Sequence, residues 1–212
     1  MHFENVILET ASLTRTKLFY NKTLELPIVK ESDEAISFQA GASVLTFKKT
    51  TQGKPFYHIA FNITNNKFSE SFEWINSKLD LLPMDNGLPI AAYPDWNAQS
   101  FYFYDNNGSI IEFIVRFDLP YYSAESFTLS DIKEISEVGI VAENVSETAA
   151  TMNTEYGIPM FAKSRPSEKF TAMGDDHGLL IIIPKGHGWV PVHKSAHIFP
   201  LAIIADGETI SF

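Results

Sequence analysis

Ser100-Phe-Tyr-Phe-Tyr-Asp-Asn-Asn-Gly-Ser-Ile-Ile-Glu-Phe-Ile-Val-Arg116 is the stretch on which the fold turns. Two runs of aromatic and β-branched residues flank Asp105-Asn-Asn-Gly108. An Asn-Gly pair there is a strong hairpin signal, because both residues tolerate the positive φ that a tight turn requires. One residue is discordant: Glu112 lies within the apolar run Ile110-Ile-Glu-Phe-Ile114. A carboxylate aimed into a dry core would be costly, so Glu112 is expected to face a wet cavity.

Upstream, the strand Tyr57 to Ile63 leads into a helix with Phe68, Phe72, Ile75 and Leu79 on one stripe, followed by a loop from Pro83 to Gln99. The same order recurs on both sides. Asn5-Val-Ile-Leu-Glu-Thr-Ala-Ser-Leu-Thr14 and Glu137-Val-Gly-Ile-Val-Ala-Glu-Asn-Val-Ser146 each read as an apolar strand and a polar turn, with Ser12 and Ser146 as helix N-caps. Each copy stops at a proline, in Leu26-Pro27-Ile28 and Ile158-Pro159-Met160, which ends the helix and starts a strand. Strand pairs follow: Ile36 to Gln39 with Val44 to Lys48, and Phe170 to Met173 with Leu179 to Ile183. A fourth copy begins at Phe199 to Asp206. The fold class is therefore α+β, with three βαβββ modules and a truncated fourth. The expected domains are 1–118, holding two modules, and 134–212, an incomplete second domain beyond a linker rich in Ser.

Composition narrows the function. A net charge of −10, with 26 acidic against 16 basic residues and no basic run, repels phosphate backbones and excludes nucleic acid as a partner. The chain has no cysteine, which excludes disulfides and thiolate chemistry. Its N-terminus lacks the basic and apolar regions of a signal peptide. The apolar run Leu179 to Ile183 is far short of the roughly 20 residues that span a bilayer. A soluble, cytoplasmic protein with no membrane partner is expected.

The hairpin, read as an aromatic strand, Asp-x-x-Gly and apolar-Glu-apolar, together with His58-Ile-Ala-Phe61 upstream, resembles the vicinal-oxygen-chelate superfamily of glyoxalases, bleomycin-resistance proteins and extradiol dioxygenases. The resemblance spans residues 3–117 and, more weakly, 135–185. It implies paired modules curled into a cup-shaped mixed sheet, with a divalent metal held at equivalent corners of the first and last strands. Carried over to this chain, those corners are Asn5, Thr46, His58 and Glu112. Asn5 stands where a histidine is common, so the implied ligands are His58, Glu112 and a weak Asn5. Fe, Mn, Ni or Zn would suit such an N,O set. The resemblance also places Tyr102 at the substrate pocket and the loop of Trp96 beside it. Phe47 and Arg116 are further pocket candidates, Arg116 either gripping a carboxylate or sitting at the rim, and Glu112 also suits the role of general base. In the second half, the corners Glu137, Ile181 and Pro200 are expected to build no metal site, leaving a structural role. The spacing of His187, His193 and His197 invites a zinc reading, but their Gly- and Pro-rich setting reads as an ordinary loop.

Three functions stay open on these residues. One is a metal-dependent lyase, isomerase or dioxygenase acting on a small oxygenated molecule. Another is a metal-free protein that sequesters a small-molecule ligand, and the third is an interaction protein with a vestigial cavity. A glutathione-dependent glyoxalase is disfavoured by half-filled metal corners, a fosfomycin-type transferase by the lack of a basic cluster, and an extradiol dioxygenase by a missing second histidine. The odd half-module suggests self-association as a homodimer.

Overall fold

The repeated pattern becomes strands and helices at most of the predicted places in the computed structural model, which describes residues 1–212, but the strand expected at Met160 is only an isolated bridge to Met173. The first module holds β1 (Phe3–Thr10), a short helix α1 (Leu13–Lys17) that loosens into a π-helical turn over Leu18–Thr23, then β2 (Ile28–Glu31), β3 (Ala35–Ala40) and β4 (Ser43–Lys49). The second holds β5 (His58–Ile63), α2 (Phe68–Asn76), β6 (Leu81–Leu82), β7 (Ala91–Tyr93), β8 (Ala98–Tyr104) and β9 (Ile110–Arg116). The third holds β10 (Ile132–Ala142), α3 (Val145–Tyr156), β11 (Thr171–Asp175) and β12 (Gly178–Pro184). A small ribbon of β13 (Gly188–Trp189) and β14 (Lys194–Ser195) precedes the hairpin of β15 (Ala202–Ala205) and β16 (Glu208–Ser211). Ser12 caps α1 as expected, its side chain accepting from the Arg15 amide. Ser146 does not cap α3; Asn144 does, accepting from the Glu147 amide, so the helix starts earlier than expected. No helix is long and apolar enough to cross a membrane.

The modules do not pair in chain order. One sheet runs β16-β15-β1-β4-β3-β2, the other β11-β12-β10-β5-β9-β8-β6, with β7 also on β8. The first module is joined edge to edge with the closing hairpin through antiparallel β1–β15, and the second with the third through antiparallel β5–β10. No strand ladder joins the first module to the second, although the sequence repeat suggests that pairing. The segments 1–118 and 134–212 each contribute strands to both sheets. The physical reason is that β1 and β5, as equivalent first strands, present equivalent edges. Hydrophobic pattern fixes which face of a strand is buried, not which edge finds which partner. β10 is long and bends at two register shifts along β5, and this takes up the otherwise open edge of the second module.

Alternation along each strand sorts the second sheet into two faces. Ile59, Phe61, Phe113, Val138, Leu180 and Ile182 enter one core, which Val6, Leu8 and Phe38 from the first sheet and Tyr20, Ile75 and Met152 from the helices also fill. The opposite face of β5, β9, β10 and β12 is left to line a concave site.

Candidate functional site

Strand register defines equivalent positions in the three modules. Thr46 pairs with Ile7, Glu112 with Ala60 and Ile181 with Gly139, in each case two residues beyond Asn5, His58 and Glu137 respectively. Asn5/Thr46, His58/Glu112 and Glu137/Ile181 are thus matching corners. Because β5 pairs with β10, and Ala60 stands opposite Glu137, the corners that meet are those of modules two and three. The ligand atoms of His58, Glu112 and Glu137 converge within 4.8 Å of one another, and all three residues are buried.

A hydrogen-bond network holds the three. His58 Nε2 lies 3.0 Å from Glu112 Oε2, and the Tyr102 hydroxyl donates to Glu112 Oε1 at 2.7 Å. The Tyr93 hydroxyl hydrogen-bonds to that of Tyr102 in turn. Arg116 donates to Glu137 through Nη2, and its Nη1 lies 3.6 Å from Asp176. Burial, followed by the charge of Glu112, pushes the Glu137 carboxyl up to about 7, with Arg116 and His58 pulling the other way. Burial alone would lower the His58 imidazole, but the hydrogen bond and charge of Glu112, with help from Glu137, outweigh it and raise its pKa. Burial and Glu112 together hold the Tyr102 phenol well above its ordinary range.

Over this floor lies a cavity of about 780 Å³. Its walls include Tyr93, Trp96, Phe170 and Trp189, and Lys163, Arg165 and His187 also line it. Trp189 lies over His58 with ring centroids 5.3 Å apart. Gly139 makes this approach possible: a Cβ there would fall 2.5 Å from the indole and 3.0 Å from the His58 Cβ.

The structure brings His58, Glu112, Tyr102 and Trp96 to one cavity and leaves other expected residues elsewhere. Asn5 does not line that cavity. It accepts from Thr46 at 2.9 Å on the first sheet, and Thr46 in turn meets Ser37 at 2.9 Å. Phe47 is not a pocket residue but core, against Tyr20 and Phe38, because its place on β4 points to the shared core. Arg116 is fully buried beneath the site, held by Glu137 and 5.6 Å from the Trp96 ring, instead of standing at a rim. Glu137, expected to be idle, supplies the third converging group; its corner position was readable, its partner module was not. Trp189 carried no sequence signal of a role in the site, and Tyr93 stood out only, like Trp96, as an aromatic of the long loop from Pro83 to Gln99. His187 lines the cavity, His193 pairs with Asp85 at 2.8 Å, and His197 packs against Phe56, so the loop histidines form no joint cluster.

One imidazole and two carboxylates are a donor set for a divalent first-row cation. Their mutual distances fit one such ion, while the fourth corner, Ile181, offers no donor and leaves coordination positions free. The residues therefore fit the metal that the fold implies.

No family model matches the chain, and no curated protein does. Solved structures do match. A provisionally assigned dioxygenase from Bacillus subtilis aligns over 86% of this chain and 63% of its own, at 13% identity and a TM-score of 0.63. A single-site variant of glyoxalase I from Zea mays aligns over 86% of this chain and 67% of its own, at 14% identity and a TM-score of 0.55. The chain thus spans less than two thirds of the Bacillus protein. Identities this low speak for architecture alone. With its βαβββ modules, its mixed sheets and these two structural relatives, the chain has the vicinal-oxygen-chelate fold.

Proposed function

We propose that the chain binds a small oxygenated molecule in the cavity between its second and third modules. His58, Glu112 and Glu137 would hold a divalent cation there, and the activity would be that of a lyase, isomerase or dioxygenase. The observation that carries this reading is the convergence of those three side chains at the floor of an aromatic-walled cavity. When bound, the cation supplies Lewis-acid chemistry toward a substrate oxygen. The protein's own groups do the rest. Tyr102 fixes the Glu112 carboxylate by donating to Oε1, which leaves Oε2, the oxygen facing His58, as the atom that can take a substrate proton. Arg116 holds Glu137 in place, and Trp189 shields His58 from water. The absence of cysteine is in keeping with a reducing cytoplasm.

A metal-free sequestration protein is the second reading, favoured by one observation. His58 already satisfies Glu112, and Arg116 already satisfies Glu137, without an ion. Metal analysis of protein purified without chelator separates the two. The first reading expects wild type to carry about one equivalent of Fe, Mn, Ni or Zn more than His58→Ala and Glu137→Gln do. Metal-free wild type that takes up none of these ions at the cavity would overturn it and leave aromatic ligands of the apo cavity to be screened by thermal shift.

A further inference from the structure

Two residue pairs along the β5–β10 ladder from Glu137, where Asn62 faces Glu134, a different set of side chains converges. His2 Nδ1 lies 3.1 Å from Glu134 Oε2, and His177 Nδ1 lies 3.0 Å from Glu134 Oε1. The ligand atoms of all three residues fall within 4.8 Å of one another. Glu134 is buried, whereas the His2 and His177 side chains are 57% and 33% exposed, so the cluster is anchored from below and open above. None of these residues lines the cavity.

We propose that His2, Glu134 and His177 form a second divalent-cation site, of the zinc type, independent of the proposed function of the cavity. Two imidazole nitrogens and a carboxylate are a common zinc set, and a fourth position is left for water. An ion bonded at about 2.0–2.2 Å separates tetrahedral ligands by roughly 3.3–3.6 Å, so the two histidine–glutamate distances need to widen only slightly.

Two further features point to an ion rather than to hydrogen bonds alone. Glu134 Oε1 is already held by Asn62 Nδ2 and the Tyr121 hydroxyl at 2.9 Å each and by His177 Nδ1 at 3.0 Å, which leaves Oε2, met only by His2, as the oxygen free for an ion. Asn62 is 1% exposed, yet its Oδ1 has no partner beside this crowded carboxylate. Buried polar atoms seldom go unpaired. The segment carrying His2 is also seated in advance. The Met1 ammonium pairs with Asp175, and the Met1 carbonyl lies so close to Gly178 that a Cβ there would come within 2.6 Å of it. His2 is thereby placed against His177, ring centroids 4.6 Å apart. A bound ion would tie the entry to β1 to the β11–β12 turn and couple metal to stability.

The test is zinc chloride, and separately cobalt chloride, titrated onto chelator-stripped full-length Glu112→Gln protein, in which the cavity trio is broken. The expected result is about one equivalent bound, a raised Tm and a tetrahedral cobalt absorption band. His2→Ala and His177→Ala, made in the same background, should each weaken binding by at least about tenfold and abolish the Tm shift. His2 is exposed, so that variant keeps its fold, which far-UV circular dichroism checks. Zinc uptake unchanged in His2→Ala, as adventitious binding at His187, His193 or His197 would give, overturns the proposal. So does the absence of zinc-dependent change in the Glu112→Gln protein. Failure of the cavity reading leaves this outcome untouched, because the two sites share no ligand.

Discussion

Glu137 lies buried on β10 between Arg116 on one side and Glu112 with His58 on the other. A glutamate in an unfolded chain gives up its proton near about 4.3. Burial and then Glu112 hold this one to about 7 in the folded state. The folded protein therefore binds an extra proton between those values, and the unfolding free energy falls as pH rises through that window. His58, also raised, works in the same direction: its contribution is whole below the ordinary imidazole value and is lost as pH climbs through the raised one. Urea unfolding of chelator-treated protein from about pH 5 to about pH 8 should show stability declining, with most of the decline missing in Glu137→Gln. A wild-type profile that is flat or rising would refute the raised carboxyl. The same network explains why the site was only half legible. Glu112 announced itself as a charge in an apolar strand, His58 through the family resemblance, and the module repeat gave the corner of Glu137. Nothing local to Glu137 in the sequence says that Arg116, or the corner of another module, stands across from it.

At the scale of elements, repeat and turn chemistry gave the strands and their faces. Asp105-Asn-Asn-Gly108 forms the β8–β9 turn, with Asp105 accepting from the amides of Asn107 and Ser109. Edge pairing was not legible, because three copies of one module offer the same edge, and only shape and linker reach choose among them. On β10, one small residue makes room for Trp189 over His58. Gly139 sits where a methyl group would strike Trp189 at 2.5 Å. Gly139→Ala should cost about 1–3 kcal/mol by overpacking, read from urea midpoints at constant m-value. The same change in a Trp189→Phe background, where the smaller ring leaves room, should cost markedly less. Equal losses in the two backgrounds would mean that the indole is not what Gly139 accommodates.

For the whole molecule, the exchange of module partners makes the two halves of the chain interdependent. Residues 1–118 alone would leave β1 without β15 and β5 without β10, exposing two long strand edges and the apolar residues that β10 and β12 cover. They would also lack Glu137, and with it the third converging group and the partner of Arg116. Removing one partner of such a buried pair typically costs about 3–5 kcal/mol, a large fraction of the roughly 5–15 kcal/mol that holds a domain together. A fragment ending at residue 118 is therefore expected to be unfolded or aggregated, and one starting at residue 119 likewise. Co-expression of the two should restore a 1:1 complex with the circular dichroism and cooperative unfolding of the intact chain, because the missing peptide bond lies in the connection between β9 and β10, outside both strands. Size-exclusion chromatography and thermal denaturation of the separate and combined fragments decide it. Two fragments that each fold cooperatively alone would show that the cup closes within 1–118 after all, returning Asn5 and Thr46 to the neighbourhood of His58.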